Sequence, residues 1–345
     1  MKAAIYHEIK HVSIEEREKP TAGDKDVVIQ VVKAGICGTD VHAYLAGGDD
    51  VGIHAENEFG HEFVGIICEV GKNVADLHLG DRVTICPTAR RPESCGLNST
   101  EIADMSGAFS EYVYVENAKK DENVFLLPEN LSFDRGVLTE PLSVSTHAVE
   151  IADLKGGEKA LVYGAGTIGL CALAALQAKG IKDIIISDIN EARLNIAKEM
   201  GATPFHSGKG NLMEFVKEKW GVYRGNSGED CINADVVIDC AGLPMIIDEF
   251  IGNAKTLSKL IIVAVHGKNV EISPYWVLAK EVTLKGSRGY TAKDILTSIH
   301  TLAQEECKLA KIITQKYCHK DIGEAFEQAC DGKNAIKVVI EYCEQ

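Results

Sequence analysis

Short apolar runs separated by polar turns dominate the first part of the chain. Residues 27–32, 63–67 and 112–115 are rich in Val, Ile, Phe and Tyr, which favour strands over helices. Turn sequences such as Gly-Lys-Asn and Pro-Glu-Asn lie between runs of this kind. The pattern predicts a small β-barrel or β-sandwich for residues 1 to about 147.

The middle of the chain alternates strand-like runs with helix-like segments. Residues 236–238, 260–265 and 282–284 are short and rich in apolar side chains, as expected of parallel strands that are buried on both faces. A helix is predicted over 190–200, with Asn190 as its cap and a glycine directly after it. This alternation predicts a doubly wound parallel sheet.

The 345 residues are too many for one hydrophobic core, so two domains are expected. Residues 148–285 form one predicted domain, and residues 1–147 together with 286–345 form the other. The second domain is discontinuous because the last strand, 336–340, is expected to return to it. A polar, glycine-containing stretch within 207–234 is interpreted as a surface insertion.

Residues 161–188 have the order strand, glycine turn, helix, strand, acid. The turn is Gly164-Ala-Gly166-Thr-Ile-Gly169, a GxGxxG sequence in the context that makes it a dinucleotide-binding motif. Gly164 permits the tight turn, Gly166 lets the backbone approach a pyrophosphate, and Gly169 lets the helix pack against the strand. The helix N-terminus offers free N–H groups to the phosphates.

Asp188 ends the second strand of this motif. Its carboxylate can accept hydrogen bonds from both hydroxyls of an adenosine ribose, and it would repel a 2′-phosphate. The sequence therefore favours NAD over NADP.

Composition narrows the classes of partner. The chain is 46% hydrophobic and 25% charged with a net charge of −15, which argues against binding to nucleic acid or to an anionic membrane. No apolar run approaches the roughly 20 residues of a membrane span, and the N-terminal residues lack the apolar core of a signal peptide. Eleven cysteines without framework spacing point to a reducing compartment, so a cytoplasmic location is expected.

Several potential metal ligands occur in the predicted β domain. The segment 37–42, Cys-Gly-Thr-Asp-Val-His, combines a thiol, a hydroxyl, a carboxylate and an imidazole, and His61-Glu62 and Glu140 follow. Zinc accepts these ligand types, and a catalytic zinc site keeps one position open. Each residue alone has a simpler interpretation, since a single Cys is usually a small buried side chain and a single His is usually structural.

The segment 37–42, the sequence Gly60-His61-Glu62, the sequence Glu140-Pro-Leu and the glycine turn together resemble the zinc-dependent medium-chain dehydrogenases over essentially the whole chain. Within that superfamily the chain resembles the polyol branch, which contains sorbitol, threonine, butanediol and idonate dehydrogenases. Glu140 stands where this branch has glutamate and the alcohol dehydrogenases have cysteine.

The resemblance implies an α/β fold with a Rossmann NAD-binding domain and a GroES-like β-barrel catalytic domain. It implies zinc-dependent hydride transfer between NAD and a secondary alcohol or ketone, with a polyol or a diol as the substrate class. It also implies a homo-oligomer, either a dimer or a tetramer, with a small molecule as the substrate and neither nucleic acid nor membrane as a partner.

In the family, Cys37 and His61 would bind the catalytic zinc, and Glu62 and Glu140 would compete for a third place, one directly and one through water. Zinc with Cys37, His61 and one glutamate is neutral, whereas a second glutamate would weaken the Lewis acid. Asp40 would hold the far nitrogen of His61.

The resemblance also implies a route for the proton of the alcohol. Thr39 would take this proton and His42 would pass it, through the coenzyme ribose, to solvent. Phe109 matches a position that often lines the substrate cleft. The residues expected to contact the coenzyme are Gly164, Gly166, Thr167, Ile168, Gly169, Asp188, Arg193 and Val265.

The chain departs from the family where most relatives bind a second, structural zinc with four cysteines. Here Cys86 and Cys95 are the only thiols before Cys171 in that region, so four ligands cannot be assembled locally. We expect one catalytic zinc and no structural zinc.

Other positions leave alternatives open. His54, Glu56 and Glu58 stand where relatives are more apolar, and a polar substrate rim and a solvated loop explain them equally well. Arg90 and Arg91 fit a solvated loop better than an anion-binding site, because exposed arginine is common. A zinc-free quinone or enoyl reductase of the same fold, and a non-catalytic nucleotide-binding protein, are the alternative functions.

Overall fold

The computed structural model describes residues 1–87, 107–226 and 228–342. Numbered in chain order, its strands are β1 Lys2–Glu8, β2 His11–Glu16, β3 Val27–Gly35, β4 Asn57–Glu58, β5 Glu62–Val70, β6 Arg82–Ile85, β7 Tyr112–Val115, β8 Val124–Leu126, β9 Lys159–Tyr163, β10 Asp183–Asp188, β11 Thr203–His206, β12 Val222–Arg224, β13 Asp230–Ile232, β14 Val236–Asp239, β15 Lys259–Ile262, β16 Thr283–Gly286, β17 Ile313–Cys318 and β18 Lys337–Glu341. The α-helices are Gly38–Ala46, Phe133–Gly136, Thr139–Ile151, Thr167–Ala178, Glu191–Met200, Leu212–Trp220, Pro244–Asn253, Pro274–Lys280, Ala292–Ala303 and Ile322–Ala329. Short 3-10 helices occur at Asp49–Val51, Ser207–Lys209, Leu309–Ile312 and His319–Asp321.

The chain divides into two compact units. The first unit combines Met1–Ser143 with Tyr290–Gln345, and the second is Val144–Gly289. Each boundary lies four residues from the predicted one (147 − 143 and 290 − 286). The first boundary falls inside the helix Thr139–Ile151, which no break in the hydrophobic pattern marks.

The first unit contains two sheets. One has the order β2-β1-β4, and the other has the order β17-β18-β3-β5-β6-β8, with β7 also paired to β3. The last strand, β18, pairs antiparallel with β3, so the C-terminal part of the chain completes the sheet that the N-terminal part begins. Alternating apolar side chains from these strands pack with the aromatic rings of Tyr44, Phe59, Phe109 and Phe326 to form the core.

The second unit is built on a six-stranded parallel sheet. Its order is β11-β10-β9-β14-β15-β16, so the direction of winding reverses between β9 and β14. The strands are short and apolar because helices cover both faces of a parallel sheet. The helix Glu191–Met200 begins where the Asn190 side chain accepts the N–H of Arg193 and ends at Gly201, whose φ is 106°. The predicted α/β class with a Rossmann sheet is therefore confirmed.

Two segments of the second unit differ from the sequence prediction. The segment 207–234, interpreted as a surface insertion, contains a helix, Leu212–Trp220, and the hairpin β12–β13. The strand predicted at 260–265 ends at Ile262, because the N–H groups of Val263 and Ala264 both donate to the carbonyl oxygen of Asp239.

Within the described residues, no helix combines the length and the apolar character needed to cross a bilayer.

Candidate metal and coenzyme sites

The end of β3 presents Cys37 at the start of a helix. Cys37 is the N-cap of the helix Gly38–Ala46, and its backbone N–H donates to Oδ2 of Asp40 at 2.8 Å. Ile36 donates its N–H to the carbonyl of Val338 at 3.0 Å, which fixes this turn to β18. The thiol is therefore held by a strand end, a helix start and the C-terminal strand.

Three potential ligands meet at this turn. Glu62 begins β5 and pairs with Gly35 at the end of β3, which brings His61 and Glu62 beside Cys37. One ligand atom from each of Cys37, His61 and Glu62 lies within 4.8 Å of the other two. Ligands of a tetrahedral zinc ion lie about 3.5 Å from one another, so a small contraction lets all three bind one ion. Thiolate, imidazole and carboxylate are the donor types that zinc prefers, and the set fits a zinc site.

Buried charge surrounds His61. Asp40 is fully buried, and its Oδ1 lies 3.8 Å from Nδ1 of His61, somewhat beyond a hydrogen bond. Burial raises the pKa of Asp40 to about 6, although His61 opposes that shift. Burial disfavours the charged form of His61, but the neighbouring Cys37 and Asp40 outweigh it and hold the pKa of His61 well above its usual value. The negative potential that attracts a proton here also attracts a metal cation.

A buried lysine, Lys337, adds a positive charge beside Glu62. Its Nζ forms an ion pair with Oε2 of Glu62 and donates to the carbonyl oxygen of Ile36 at 3.0 Å. Burial lowers the pKa of Lys337, but Glu62 and Cys37 raise it by more, so the net shift is upward. A Cβ atom on Gly35 would come within 2.4 Å of Oε2 of Glu62, so only glycine leaves room for this pair.

Lys337 has no predicted role in the sequence. The available signal was a lysine inside the apolar run 336–340, because a charge is buried in a strand only when a partner compensates for its lost hydration. The pattern could reveal that a partner exists, but it could not identify Glu62, which is 275 positions away (337 − 62).

Glu140 is buried and bonded to a tyrosine. The hydroxyl of Tyr290 donates to Oε1 of Glu140 at 2.8 Å. Burial raises the pKa of Glu140 to about 7, while His61 opposes this shift and Glu62 adds to it. Glu140 is thus within electrostatic reach of the three ligands, but it is not a member of the group that lies within 4.8 Å.

The two predicted proton-transfer residues occupy different environments on the helix Gly38–Ala46. Oγ1 of Thr39 lies 3.7 Å from Sγ of Cys37, so this hydroxyl is adjacent to the potential ligands. His42 is exposed, and its Nε2 lies 3.1 Å from Oδ2 of Asp50. The helix therefore has a hydroxyl near the ligand group and an imidazole in contact with solvent.

Phe109 does not lie at the surface of a cleft, which is the position predicted from the sequence. Its side chain is fully buried in the core of the first unit, in edge-to-face contact with Phe59 and Phe326. A Cβ atom on Gly60 would come within 2.6 Å of the Phe109 ring, which shows how closely the backbone covers it. With no exposed surface, Phe109 cannot line a substrate cleft in this structure, and its large apolar ring explains why it is buried instead.

The glycine turn follows β9 and leads into the helix Thr167–Ala178. Gly164 has a φ of 91°, and Gly166 is the helix N-cap. A Cβ atom on Gly169 would come within 1.8 Å of the carbonyl oxygen of Gly164, so the helix can pack here only without a side chain. A Cβ atom on Gly166 would have Nη1 of Arg193 as its nearest neighbour, at 3.7 Å, so the space above Gly166 is open. An open backbone at a helix N-terminus fits a pyrophosphate.

The other predicted coenzyme residues lie along the same edge of the sheet. Asp188 accepts the N–H of Ala165 on Oδ2 at 2.7 Å and the N–H of Asn190 on Oδ1 at 2.8 Å, so it also holds the glycine turn in place. The helix begins at Thr167, and Ile168 accepts the Ser145 hydroxyl on its carbonyl oxygen at 2.9 Å. Val265 follows β15, and its side chain is 93% exposed.

The unusual polar residues near position 56 have partners within the first unit. His54 pairs with Asp49 at 3.0 Å on the surface, and Glu58 accepts the hydroxyl of Ser110 at 2.8 Å. Oε1 of Glu56 lies 2.8 Å from Nδ1 of His7. These contacts place the three residues among neighbouring surface groups and leave their role in substrate binding a prediction.

The predictions about a structural zinc and about the arginine pair concern a segment that is only partly described. Cys86 is buried at the end of β6, whereas Cys95, Arg90 and Arg91 lie outside the described residues. The expected absence of a structural zinc therefore stays a prediction.

Two family models and several known dehydrogenases match the chain. Residues 23–129 match the family model of the alcohol dehydrogenase GroES-like domain, and residues 167–304 match that of zinc-binding dehydrogenases. The chain is 33% identical to (R,R)-butanediol dehydrogenase of Bacillus subtilis, with 99% of each chain covered. It is 30% identical to sorbitol dehydrogenase of the same organism, with 99% of this chain and 97% of the relative covered.

A solved structure shares the fold. The crystal structure of 2R,3R-butanediol dehydrogenase from Bacillus subtilis superimposes with a TM-score of 0.86 and 31% identity, covering 99% of each chain. The chain belongs to the zinc-binding alcohol dehydrogenase family, within the medium-chain dehydrogenases that combine a GroES-like and a Rossmann domain. It is an oxidoreductase that uses zinc and a nicotinamide coenzyme, and its relatives include dehydrogenases of polyols and diols.

Proposed function

We propose that this protein transfers a hydride between NAD and a secondary alcohol or ketone, with a vicinal diol or a polyol as the substrate. The observation that carries this proposal is the group formed by Cys37, His61 and Glu62, whose ligand atoms lie within 4.8 Å of one another. A zinc-free reductase of the same fold would have no use for this group.

Cys37, His61 and Glu62 are the proposed protein ligands of a single catalytic zinc, which when bound supplies a Lewis acid that makes an alcohol hydroxyl more acidic. Glu62 is favoured over Glu140 because it belongs to the group of three, while Glu140 is held by Tyr290. Two anionic ligands and one neutral imidazole match the charge of a divalent ion.

Thr39 is proposed to accept the hydroxyl proton of the alcohol, since its own hydroxyl is adjacent to Cys37. His42, which is exposed, is proposed to deliver that proton to water. Asp40 keeps negative charge behind His61 and so favours the orientation in which the imidazole faces the metal.

The choice of NAD over NADP rests on Asp188. Both oxygens of its carboxylate already accept backbone N–H groups, but each oxygen has a further lone pair for a ribose hydroxyl. A 2′-phosphate would instead bring a second negative charge against this carboxylate.

The Asp188→Ala variant tests this choice of coenzyme. We expect a higher KM for NAD and a smaller preference for NAD over NADP, with the zinc content unchanged. Steady-state kinetics with both coenzymes and metal analysis of the same samples would measure this. An unchanged KM for NAD would contradict the assigned role of Asp188.

The function as a whole is tested by two measurements on the purified full chain. We expect one zinc per chain, and NAD reduction with a panel that includes 2,3-butanediol, sorbitol, threonine and simple secondary alcohols. Less than about half a zinc per chain would count against the metal site, because such sites bind tightly. Zinc without NAD reduction on any alcohol of the panel would contradict the proposed substrate class.

A further inference from the structure

A buried aspartate and a histidine form a pair in the second unit that no step above uses. Asp239 is the last residue of β14 and is completely buried. Its Oδ2 lies 2.6 Å from Nε2 of His266, and its Oδ1 accepts the N–H groups of Ala241 and Gly242 at 2.9 Å each. The His266 side chain is 14% exposed.

Asp239 shapes the segment that carries His266. The carbonyl oxygen of Asp239 accepts the N–H groups of Val263 and Ala264 at 3.0 Å each, which turns the chain immediately after β15. Gly242 packs against this turn, because a Cβ atom there would come within 2.7 Å of the carbonyl oxygen of Val265. The aspartate therefore fixes both the position and the ring orientation of His266.

The tautomer of His266 follows from these contacts. A carboxylate that already accepts two backbone N–H groups accepts a third hydrogen bond, so Nε2 carries the proton and Nδ1 of the neutral ring is an acceptor. Nδ1 is buried and has no hydrogen-bond partner among the described residues. Among the described residues, Nδ1 of His266 is therefore a buried acceptor that no donor satisfies.

The sheet order places this acceptor on one side of the glycine turn. A dinucleotide binds across the point where the winding reverses, with one nucleotide half on each side. Asp188 on β10 marks the adenosine side, and the glycine turn on β9 marks the pyrophosphate. The other half must then lie over the ends of β14 and β15, where Asp239 and His266 are found. Gly164 also lies next to Cys240, since its Cβ would come within 3.1 Å of the Cys240 carbonyl oxygen.

The nicotinamide ring carries a carboxamide, whose NH2 group is a hydrogen-bond donor. We propose that Nδ1 of His266, held as an acceptor by Asp239, receives a hydrogen bond from the carboxamide NH2 of the coenzyme. This inference rests on the proposed use of a nicotinamide coenzyme and adds a residue that recognises its nicotinamide end. His266 contacts the coenzyme, and Asp239 is a positioning residue that sets the tautomer.

Binding measurements on the full-length protein separate the two ends of the coenzyme. His266→Phe keeps a ring of similar size without the acceptor. Isothermal titration should show binding of NAD weakened about threefold to tenfold, as expected for one lost hydrogen bond. Binding of ADP-ribose, which lacks the nicotinamide, should be unchanged.

A coenzyme analogue supplies the matching change on the ligand. In 3-acetylpyridine adenine dinucleotide a methyl group replaces the NH2 of the carboxamide, so the analogue has no donor for His266. It should bind the native protein more weakly than NAD, and His266→Phe should weaken it no further.

Asp239→Asn tests the positioning role. The side-chain oxygen of the new asparagine would still accept the N–H groups of Ala241 and Gly242, so its NH2 group would face Nε2 of His266. This NH2 group would donate to Nε2, and the ring proton would then be on Nδ1. We expect NAD affinity to fall and ADP-ribose affinity to hold, with 15N chemical shifts of the His266 ring reporting the exchanged tautomer. An unchanged tautomer together with unchanged NAD affinity would overturn this role of Asp239.

The failures can be told apart. If His266→Phe weakens NAD and ADP-ribose equally, or weakens neither, the hydrogen bond to the carboxamide is overturned while the proposed function stands. If the native protein binds neither NAD nor ADP-ribose, the proposed coenzyme is overturned and this inference falls with it.

Discussion

The ion pair between Lys337 and Glu62 places a buried positive charge beside three groups that can bind a metal cation. Two charged groups removed from water lose most of their hydration, and each compensates for the other only while both are present. If Glu62 binds zinc as proposed, zinc and Lys337 would be alternative counter-charges for the same carboxylate.

Lys337→Met should separate these two counter-charges. Without zinc, the variant leaves the buried Glu62 without its lysine partner, and we expect a loss of about 3–5 kcal/mol in the free energy of unfolding. With zinc bound, the loss should be smaller, because the metal neutralises the carboxylate. Urea unfolding with and without a chelator would measure both values.

The double variant Glu62→Gln, Lys337→Met is the control for this interpretation. Removing both charges should recover much of the stability that the single variant loses in the metal-free protein. Equal losses in the single and double variants would mean that Lys337 stabilises the fold through packing instead of charge.

Cys37→Ser should remove metal and activity together. A hydroxyl is a poorer zinc ligand than a thiolate, so we expect the zinc content to fall well below one per chain. Cys68→Ser is the matched control, since Cys68 is a free, partly buried thiol on β5, in the same sheet as β3. Full zinc content and activity in Cys37→Ser would show that residue 37 is not a ligand.

At the scale of elements, two glycines of the glycine turn have different roles. In Gly166→Ala the added Cβ atom would have no neighbour closer than 3.7 Å. The backbone of residue 166 is extended, a conformation that alanine can adopt, so the fold should tolerate this change. Gly169→Ala collides with the Gly164 carbonyl oxygen, so we expect it to cost about 3 kcal/mol or more.

The two variants should therefore separate a loss of coenzyme affinity from a loss of folding stability. Thermal unfolding should report a large loss for Gly169→Ala and a small one for Gly166→Ala, while NAD titration should show weakened binding in Gly166→Ala. If Gly166→Ala bound NAD normally, the backbone at 166 would not be the surface that the pyrophosphate approaches.

The elements themselves could largely be predicted from the sequence. Apolar runs gave the positions of β3, β5, β7, β9, β10 and β14, since their patterns depend only on local burial. The end of β15 could not be predicted, because it depends on Asp239, a residue on a neighbouring strand. The position of Phe109 was wrong for a similar reason: its burial depends on Phe59 and Phe326, which lie far apart in the chain.

The site was predictable where one short segment carries the chemistry. Residues 37–42 and 61–62 combine ligand types at close spacing, and the glycine turn has its strand and helix beside it. Lys337, Tyr290 and the pair of Asp239 with His266 were not found, because each matters only through a partner that is distant in sequence. Lys337 leaves a local signal, a charge inside an apolar run, but that signal does not identify its partner.

At the scale of the whole molecule, buried ionisable groups should make the metal-free protein sensitive to pH. The pKa of Glu140 is raised to about 7 and that of Asp40 to about 6, so each favours folding when protonated. Each contribution is present below the pKa of the unfolded chain, near 4, and is lost as pH rises through the folded value. The raised pKa of His61 acts in the same direction, because its contribution is lost as pH rises above neutrality.

We therefore expect the chelated protein to lose stability, on the order of 4 kcal/mol, between pH 5 and pH 8. Urea midpoints measured across this range would show the slope, and the Asp40→Asn, Glu140→Gln variant should flatten it. Zinc should reverse the trend, because metal binding displaces protons and strengthens as pH rises. A metal-free protein whose stability rises with pH would contradict this reading of the buried groups.

The return of the last strand to β3 determines when the parts of this protein can be assembled during synthesis. The hydrogen bond between Lys337 and Ile36 joins residues 301 positions apart, so Glu62 lacks its lysine partner until the ribosome has passed residue 337. The Rossmann unit is continuous and can fold as soon as it emerges, whereas the N-terminal strands must wait for their final partner. Until β18 is made, a nascent chain thus exposes an incomplete sheet edge and an uncompensated carboxylate, and that interval is when this protein most needs protection from aggregation.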